Sequence, residues 1–456
     1  MRFDLPEPQP PRAYGGWIIL IAIFSLMIGL ELVQYLDRGK EPGSQRLEVF
    51  NRLRLAVETK EMVGALSSVK PANADDTLAK IEQELAKDST KEAVAARFFS
   101  VARTEQGKGI SEPVLSQLRK SKEPRDAFFA EIFSAKTLSP KRAKELETKL
   151  RGGGFISRLA TVQAYEKAGD KTRREAMFPK EKSYVRIGVL SAALLFGTGG
   201  FVLLVLYGIL KSQGLLPRKG FPLERISLAD ADRLALRCAQ IFALFLGIQL
   251  AMPLVASALG KGVSKDGLTL ATYLILIGAV LYIFKFPIGL KRFSLRDIGI
   301  TKENLGKNIA WGFGAAMANL PLVLGAALLG QWIFAGLPKP EHPTTVQIQE
   351  GVSWFGISVI FFAASVGAPI TEEIMFRGTL LPALARAWGK PVLAILAQGL
   401  LFAAIHPTGI PAWLPLATIG AMSGFLSRQT GSLVPSIVMH GVHNFGTLVI
   451  AKTILG

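Results

Sequence analysis

WFGISVIFFAASVGAPITEEIMFRGTLLPAL, residues 354–384, holds only three charged side chains in 31 positions, Glu372, Glu373 and Arg377. About 20 apolar residues, each rising 1.5 Å, cross the hydrocarbon core of a bilayer, so this run is long enough to span one. Charges inside a span cost roughly 2.5 to 3.5 kcal/mol each on insertion scales, which is why a cluster of them marks function more often than packing. Reading outward, eight further apolar stretches lie at 16–36, 184–210, 236–260, 268–290, 309–337, 391–406, 414–426 and 434–454, the stretch at 414–426 being the shortest. The expected fold class is therefore all-α, a polytopic membrane helix bundle of about nine spans, with a soluble helical domain inserted between the first two.

Composition agrees with a membrane setting. Of 456 residues, 50% are hydrophobic and 19% charged, below the roughly 25% charged of soluble domains, and the mean hydropathy is +0.34. The lone cysteine, Cys238, excludes a disulfide scaffold and a cysteine-based zinc cluster. A formal net charge of +18 would suit nucleic acid, but no nucleic-acid motif accompanies it, and basic residues also gather in cytoplasmic loops and beside anionic headgroups. No nucleic-acid partner is expected; the bilayer is.

The leader MRFDLPEPQPPR carries acids and prolines and no A-x-A site follows the first apolar run, so residues 1–36 read as a tail and retained signal anchor rather than a cleaved signal peptide. With the N-terminus cytoplasmic, the inside segments hold seventeen Lys and Arg, including Arg2, Arg12 and Arg428. The outside loops hold four, Lys261, Lys265, Lys339 and Lys452. That bias sets the orientation, as in a bacterial inner membrane. Residues 37–182 would then lie outside as a basic helical domain without a chemical motif, a docking or spacer module for a protein partner. Its apolar residues recur at three and four spacing, Ser111 and Ser139 read as helix starts, and Gly152-Gly153-Gly154 ends a helix. Residues 183–235 form the second span and a cytoplasmic loop, and 236–456 the core that carries the chemistry.

On a helix through 369–378, Glu373 and Arg377 are four apart on one face and suited to pair, while Glu372 points about 100° away and stays free. Folding this span and the next about Gly389 brings Glu372, 17 residues before the turn, level with His406, 17 after it. His440 and Asn444 share a face of the last span, with His443 beside them; His342 sits in a polar loop and reads as exposed. One carboxylate, one facing imidazole and a His/Asn pair suit amide hydrolysis. Glu372 with His406 would activate water, His440 and Asn444 would donate to the oxyanion, and Glu373 and Arg377 would support the site as an ion pair. No G-x-S-x-G or placed cysteine offers a nucleophile.

Glu372-Glu373-x-x-x-Arg377, Phe402-x-x-x-His406 and His440-x-x-x-Asn444, in that order on consecutive spans, resemble the three motifs of the CPBP intramembrane proteases, which include the type II CAAX prenyl endopeptidases and bacteriocin-processing or self-immunity proteins. The resemblance runs from Trp354 to Asn444, and an external domain such as 37–182 is not part of the family pattern. It implies a membrane-embedded endopeptidase acting on a peptide or membrane-protein substrate, with the same division of roles among Glu372, His406, His440 and Asn444. Older descriptions of the family as metalloproteases keep a zinc held by Glu372, His406 and His440 as the competing arrangement. The sequence neighbours of His406 and His440 offer few acceptors to fix their tautomers, which favours direct water activation. The competing function is a transporter or scaffold that uses the polar cluster to bind an ion or partner; the lack of a duplicated half argues against a repeat-built transporter.

Overall fold

The computed structural model describes residues 14–38, 42–65, 72–216, 219–223, 226–259, 264–285, 293–337, 344, 348 and 353–455. His342 and eight of the loop cations counted above, Arg2, Arg12, Arg218, Arg225, Lys261, Lys291, Arg292 and Lys339, lie outside the described residues, as do position 260 and positions 286–290 of two expected spans. Every regular element among the described residues is helical. The chain divides into two compact units, one formed by Met1–Asp37 with Ala192–Gly456 and the other by Arg38–Ser191. The second boundary falls inside a continuous helix.

The second unit is built from α2 (Pro42–Ala65), α3 (Ala72–Leu85), α4 (Ala93–Glu105), α5 (Glu112–Arg119), α6 (Pro124–Ser134), α7 (Pro140–Leu150), α8 (Gly154–Lys167) and α9 (Thr172–Met177). Each helix packs on the next, and α4 and α8 also reach across to non-neighbours. Leu53, Leu78, Ile81, Leu118, Phe129 and Leu146 fill one shared core. Ser139 caps α7 by accepting from the Arg142 amide at 3.2 Å, as its sequence position suggested, whereas Ser111 makes no side-chain cap bond. Lys167 closes the C-terminal end of α6, its Nζ donating to the carbonyls of Ile132 (2.6 Å) and Ala135 (2.8 Å). Burial pushes that ammonium below the usual lysine range, because a low-dielectric site penalises the charged form.

The first unit holds α1 (Gly15–Arg38), the far part of α10 (Lys180–Ser212), α11 (Leu228–Leu259), α12 (Lys265–Lys285), α13 (Leu305–Ile333), α14 (Trp354–Trp388), α15 (Pro391–Ala404), α16 (Trp413–Thr430) and α17 (Val434–Leu455). Among the described residues, eight helices are long and apolar enough to cross a membrane, and the protein is a polytopic helical membrane protein. The nine-span count changes at α15. It has 14 residues, about 21 Å at 1.5 Å each, and ends before His406. The stretch expected to be shortest, at 414–426, instead grows into the 18-residue α16.

α14 is not one uniform α-helix. Two π-helical segments, Ala363–Gly367 and Ile374–Leu380, flank the short α segment Ala368–Glu373. Such bulges widen the helix, free it from strict 3.6-residue periodicity and gather at functional sites. Helices α15 and α16 pack closely because Gly399 faces Gly420; a Cβ built on Gly420 would lie 2.7 Å from the Gly399 Cα. Helix α1 shares the same core. Trp17 Nε1 donates to Asp232 at 2.9 Å, and Phe24 meets Phe242 edge-on at 4.8 Å.

Candidate active site

Glu372 and Glu373 close the α segment between the two bulges, and their side chains part as the helix-face argument requires. Glu373 is fully buried and Arg377, also fully buried, donates to it at 2.9 Å. A charged pair sealed from water gains stability from bonds to its remaining groups. Arg377 donates its other terminal nitrogen to the Gly420 carbonyl at 3.0 Å, its Nε has no hydrogen-bond partner, and its guanidinium lies 4.7 Å from the Phe402 ring centre, a cation–π distance. Gln398 donates to the same Gly420 carbonyl at 2.7 Å, and Ser423 donates to Glu373 at 3.3 Å. Sequence spacing showed the Glu373/Arg377 pair but none of Gly420, Gln398 or Ser423, since their approach depends on how α15 and α16 pack.

The pair does more than balance charge. Glu373 Oε1 lies 3.0 Å from His440 Nδ1, so the carboxylate also fixes the ring of the last helix. His406 sits one turn residue past the end of α15, its Nδ1 against the Phe402 carbonyl at 2.5 Å. Since a carbonyl only accepts, that Nδ1 carries a proton. The expectation of few acceptors to fix the two tautomers is thus corrected. The acceptors are a main-chain carbonyl four residues back and a carboxylate from another helix, neither of which is a side-chain neighbour in sequence.

With both Nδ1 atoms engaged, both Nε2 atoms face Glu372. Its Oε2 lies 3.9 Å from His406 Nε2 and 3.8 Å from His440 Nε2, and that oxygen is buried without a hydrogen-bond partner. Glu372 and His406 therefore meet across the turn at Gly389, whose φ is +62°. The Phe402 ring packs between the two imidazoles, at 4.5 Å from His406 and 5.6 Å from His440. Asn444 donates from Nδ2 to the Ala364 carbonyl at 2.8 Å, in the first π segment, which leaves its second amide hydrogen uncommitted in that bond. His443 is half-buried.

Two further features were not legible in the motifs. An edge-to-face chain runs from Phe24 of α1 through Phe242, Phe376 and Phe402 to His440, with Phe242–Phe376 at 5.5 Å and Phe376–Phe402 at 5.3 Å, and His406 lies tilted against Phe402. Tyr35, also of α1, covers Gly409 in the turn after His406. A Cβ there would lie 2.3 Å from the Tyr35 ring, and the Gly409 φ is +91°. Only the extra glycine after His406-Pro407-Thr408 hinted at so close an approach.

A zinc ion bound tetrahedrally at about 2.0 to 2.2 Å needs ligand atoms roughly 3.4 Å apart. Glu372 Oε2 stands wider than this from both Nε2 atoms, and among the described residues no group of three His, Cys, Asp or Glu is placed to hold a metal ion. As placed, the residues do not fit a metal.

Residues 354–446 match the family described as "Type II CAAX prenyl endopeptidase Rce1-like", a stretch that opens with α14 and closes two residues past Asn444. The resemblance carried by the three motifs is thereby supported by a match across all of them. No curated protein and no solved structure matches the chain.

Proposed function

We propose that the chain is a membrane-embedded endopeptidase that hydrolyses a peptide bond of a peptide or membrane-protein substrate, with water as nucleophile. One observation carries the reading: the partnerless Oε2 of Glu372 faces two Nε2 atoms whose rings are each fixed from behind. Gaps of 3.8 and 3.9 Å are too long for direct hydrogen bonds and are bridged, where polar contact exists, by water. In the proposed reaction Glu372 takes a proton from the water as its oxygen attacks the carbonyl carbon, then passes that proton to the leaving nitrogen as the C–N bond breaks. His406 orients the water through Nε2, the ring atom left with a lone pair by the Phe402 contact. Asn444 donates its second amide hydrogen to the oxyanion. His440 is the second group placed to meet the oxyanion, its ring held at Nδ1 by the Glu373 carboxylate.

The test is a comparison of membrane and C-terminal peptides from cells carrying the intact protein or Glu372→Gln. Glutamine keeps the shape of the side chain but takes no proton from water, so a set of new termini should vanish while the protein stays inserted at equal abundance. Identical termini in the two cell lines would overturn the endopeptidase reading and favour the transporter or scaffold. Elemental analysis of purified active protein decides the ligand question. One zinc per chain, with activity lost on chelation and restored on adding zinc, would reassign Glu372, His406 and His440 as its ligands.

A further inference from the structure

Two apolar cavities lie side by side within the first unit, walled by α10, α13, α15 and α16. The larger, about 570 Å³, is walled by Leu204, Leu322, Ile395 and Met422, and the smaller, about 440 Å³, by Leu203, Trp311, Ala318 and Phe425. Both fall within the range of ligand-sized pockets. Tyr207 separates them. Its ring meets Phe425 at 5.5 Å and Trp311 at 6.4 Å, while its hydroxyl donates to Gln429 at 3.1 Å.

The cavities are basic at one end only. Lys211 closes α10, Arg428 lies in the last turn of α16, and Lys307 in the first turn of α13; all three line the cavities. Lys211 Nζ donates to the Leu216 carbonyl at 2.5 Å and to Gln429 at 3.3 Å. These neutral acceptors position an ammonium without cancelling its charge. Lys307 is exposed. The α13 wall of the smaller cavity runs from Lys307 to Ala318, ~16 Å at 1.5 Å per residue, about the depth of one hydrocarbon leaflet. An apolar trough on each side of one tyrosine, with Lys211 and Arg428 lining one, Lys307 lining the other and Leu216 of the second accepting from Lys211, is complementary to two acyl chains on one anionic head.

We propose that this face binds one anionic diacyl phospholipid, its chains in the two cavities on either side of Tyr207 and its phosphate at Lys211, Lys307 and Arg428. A single uncharged hydrophobic tail would fill one trough and make no use of Lys211 or Lys307. The proposal does not depend on the endopeptidase reading.

The test uses the full chain, purified in detergent and titrated with phosphatidylglycerol or phosphatidylcholine, with bound lipid read by native mass spectrometry. Phosphatidylglycerol should bind selectively at one molecule per chain, and added salt should weaken it. Replacing both lysines with glutamine (K211Q and K307Q) should weaken it about thirtyfold, the loss of two basic groups at a headgroup. Leu204→Trp, which fills the troughs and keeps every cation, should abolish binding. If the double variant fails to fold, exposed Lys307→Gln alone should still reduce affinity several-fold. Equal binding of the two lipids, or unchanged affinity in the lysine variants, would overturn the proposal. So would displacement of phosphatidylglycerol by a prenylated peptide, since the troughs would then hold a substrate tail.

Discussion

At the residue scale, Glu373 serves three groups at once: the Arg377 guanidinium, the Ser423 hydroxyl and His440 Nδ1. Glu373→Gln removes the charge that Arg377 and His440 share. Stranding one member of a buried pair costs roughly 3 to 5 kcal/mol, so the variant should melt well below the parent in detergent. It should also lose turnover beyond what its folded fraction explains, because an amide no longer holds His440 as the carboxylate does. Ser423→Ala, which removes one weak 3.3 Å bond to the same oxygen, should cost about 1 kcal/mol and leave turnover per folded molecule unchanged. Loss of stability without loss of turnover per folded molecule in Glu373→Gln would mean that Glu373 only balances Arg377.

At the element scale, the contact between α15 and α16 depends on an absent side chain. Small residues let membrane helices approach where no hydrophobic force drives them together. A methyl at Gly420 would meet the Gly399 backbone, so Gly420→Ala should cost about 1 to 3 kcal/mol by overpacking. It should also disturb the carbonyl that receives both Arg377 and Gln398. Thermal melting in detergent measures the first effect, and an unchanged melt would show that the helices separate freely.

In the second unit the joint between α6 and α7 is electrostatic. Arg142 grips both oxygens of Glu131, at 2.7 and 2.8 Å. The Arg142 hydrogen bonds hold the Glu131 carboxyl below the usual carboxylate range against the opposing pull of burial. A carboxyl depressed in the folded state contributes stability that is present above its unfolded pKa and is lost as pH falls through the folded one. Hydrogen exchange in Pro124–Leu150, corrected for the intrinsic rate, should therefore rise as pH drops below about 4.5, and Arg142→Gln should flatten that dependence.

At the scale of the whole molecule, orientation rests on where cations fall along the chain rather than on any contact. Seventeen Lys and Arg against four predict that a reporter fused near Val94 reads external and one near Gly220 cytoplasmic. The reverse pattern would invert the placement of the residue 37–182 segment. The N-terminal helix, expected only to anchor that segment, instead contributes Phe24 and Tyr35 to the packing around the histidines. The polypeptide entering the second unit at Arg38 is thus three residues from a side chain that covers the His406 turn.

The sequence by itself determined the membrane class, the approximate position of the apolar helices, the Glu373/Arg377 pair and the level at which Glu372 and His406 meet. Each depends on hydropathy or on spacings of a few residues within one helix or about one turn, and such local quantities survive without knowledge of packing. Only the tertiary structure decided that α15 stops short, that α14 carries two π segments, and which groups fix the histidine rings. The Phe402 carbonyl is main chain and so silent in the sequence, while Glu373 reaches His440 from 67 positions away. Such distances follow from how closely glycine-faced helices pack, which no single helix encodes.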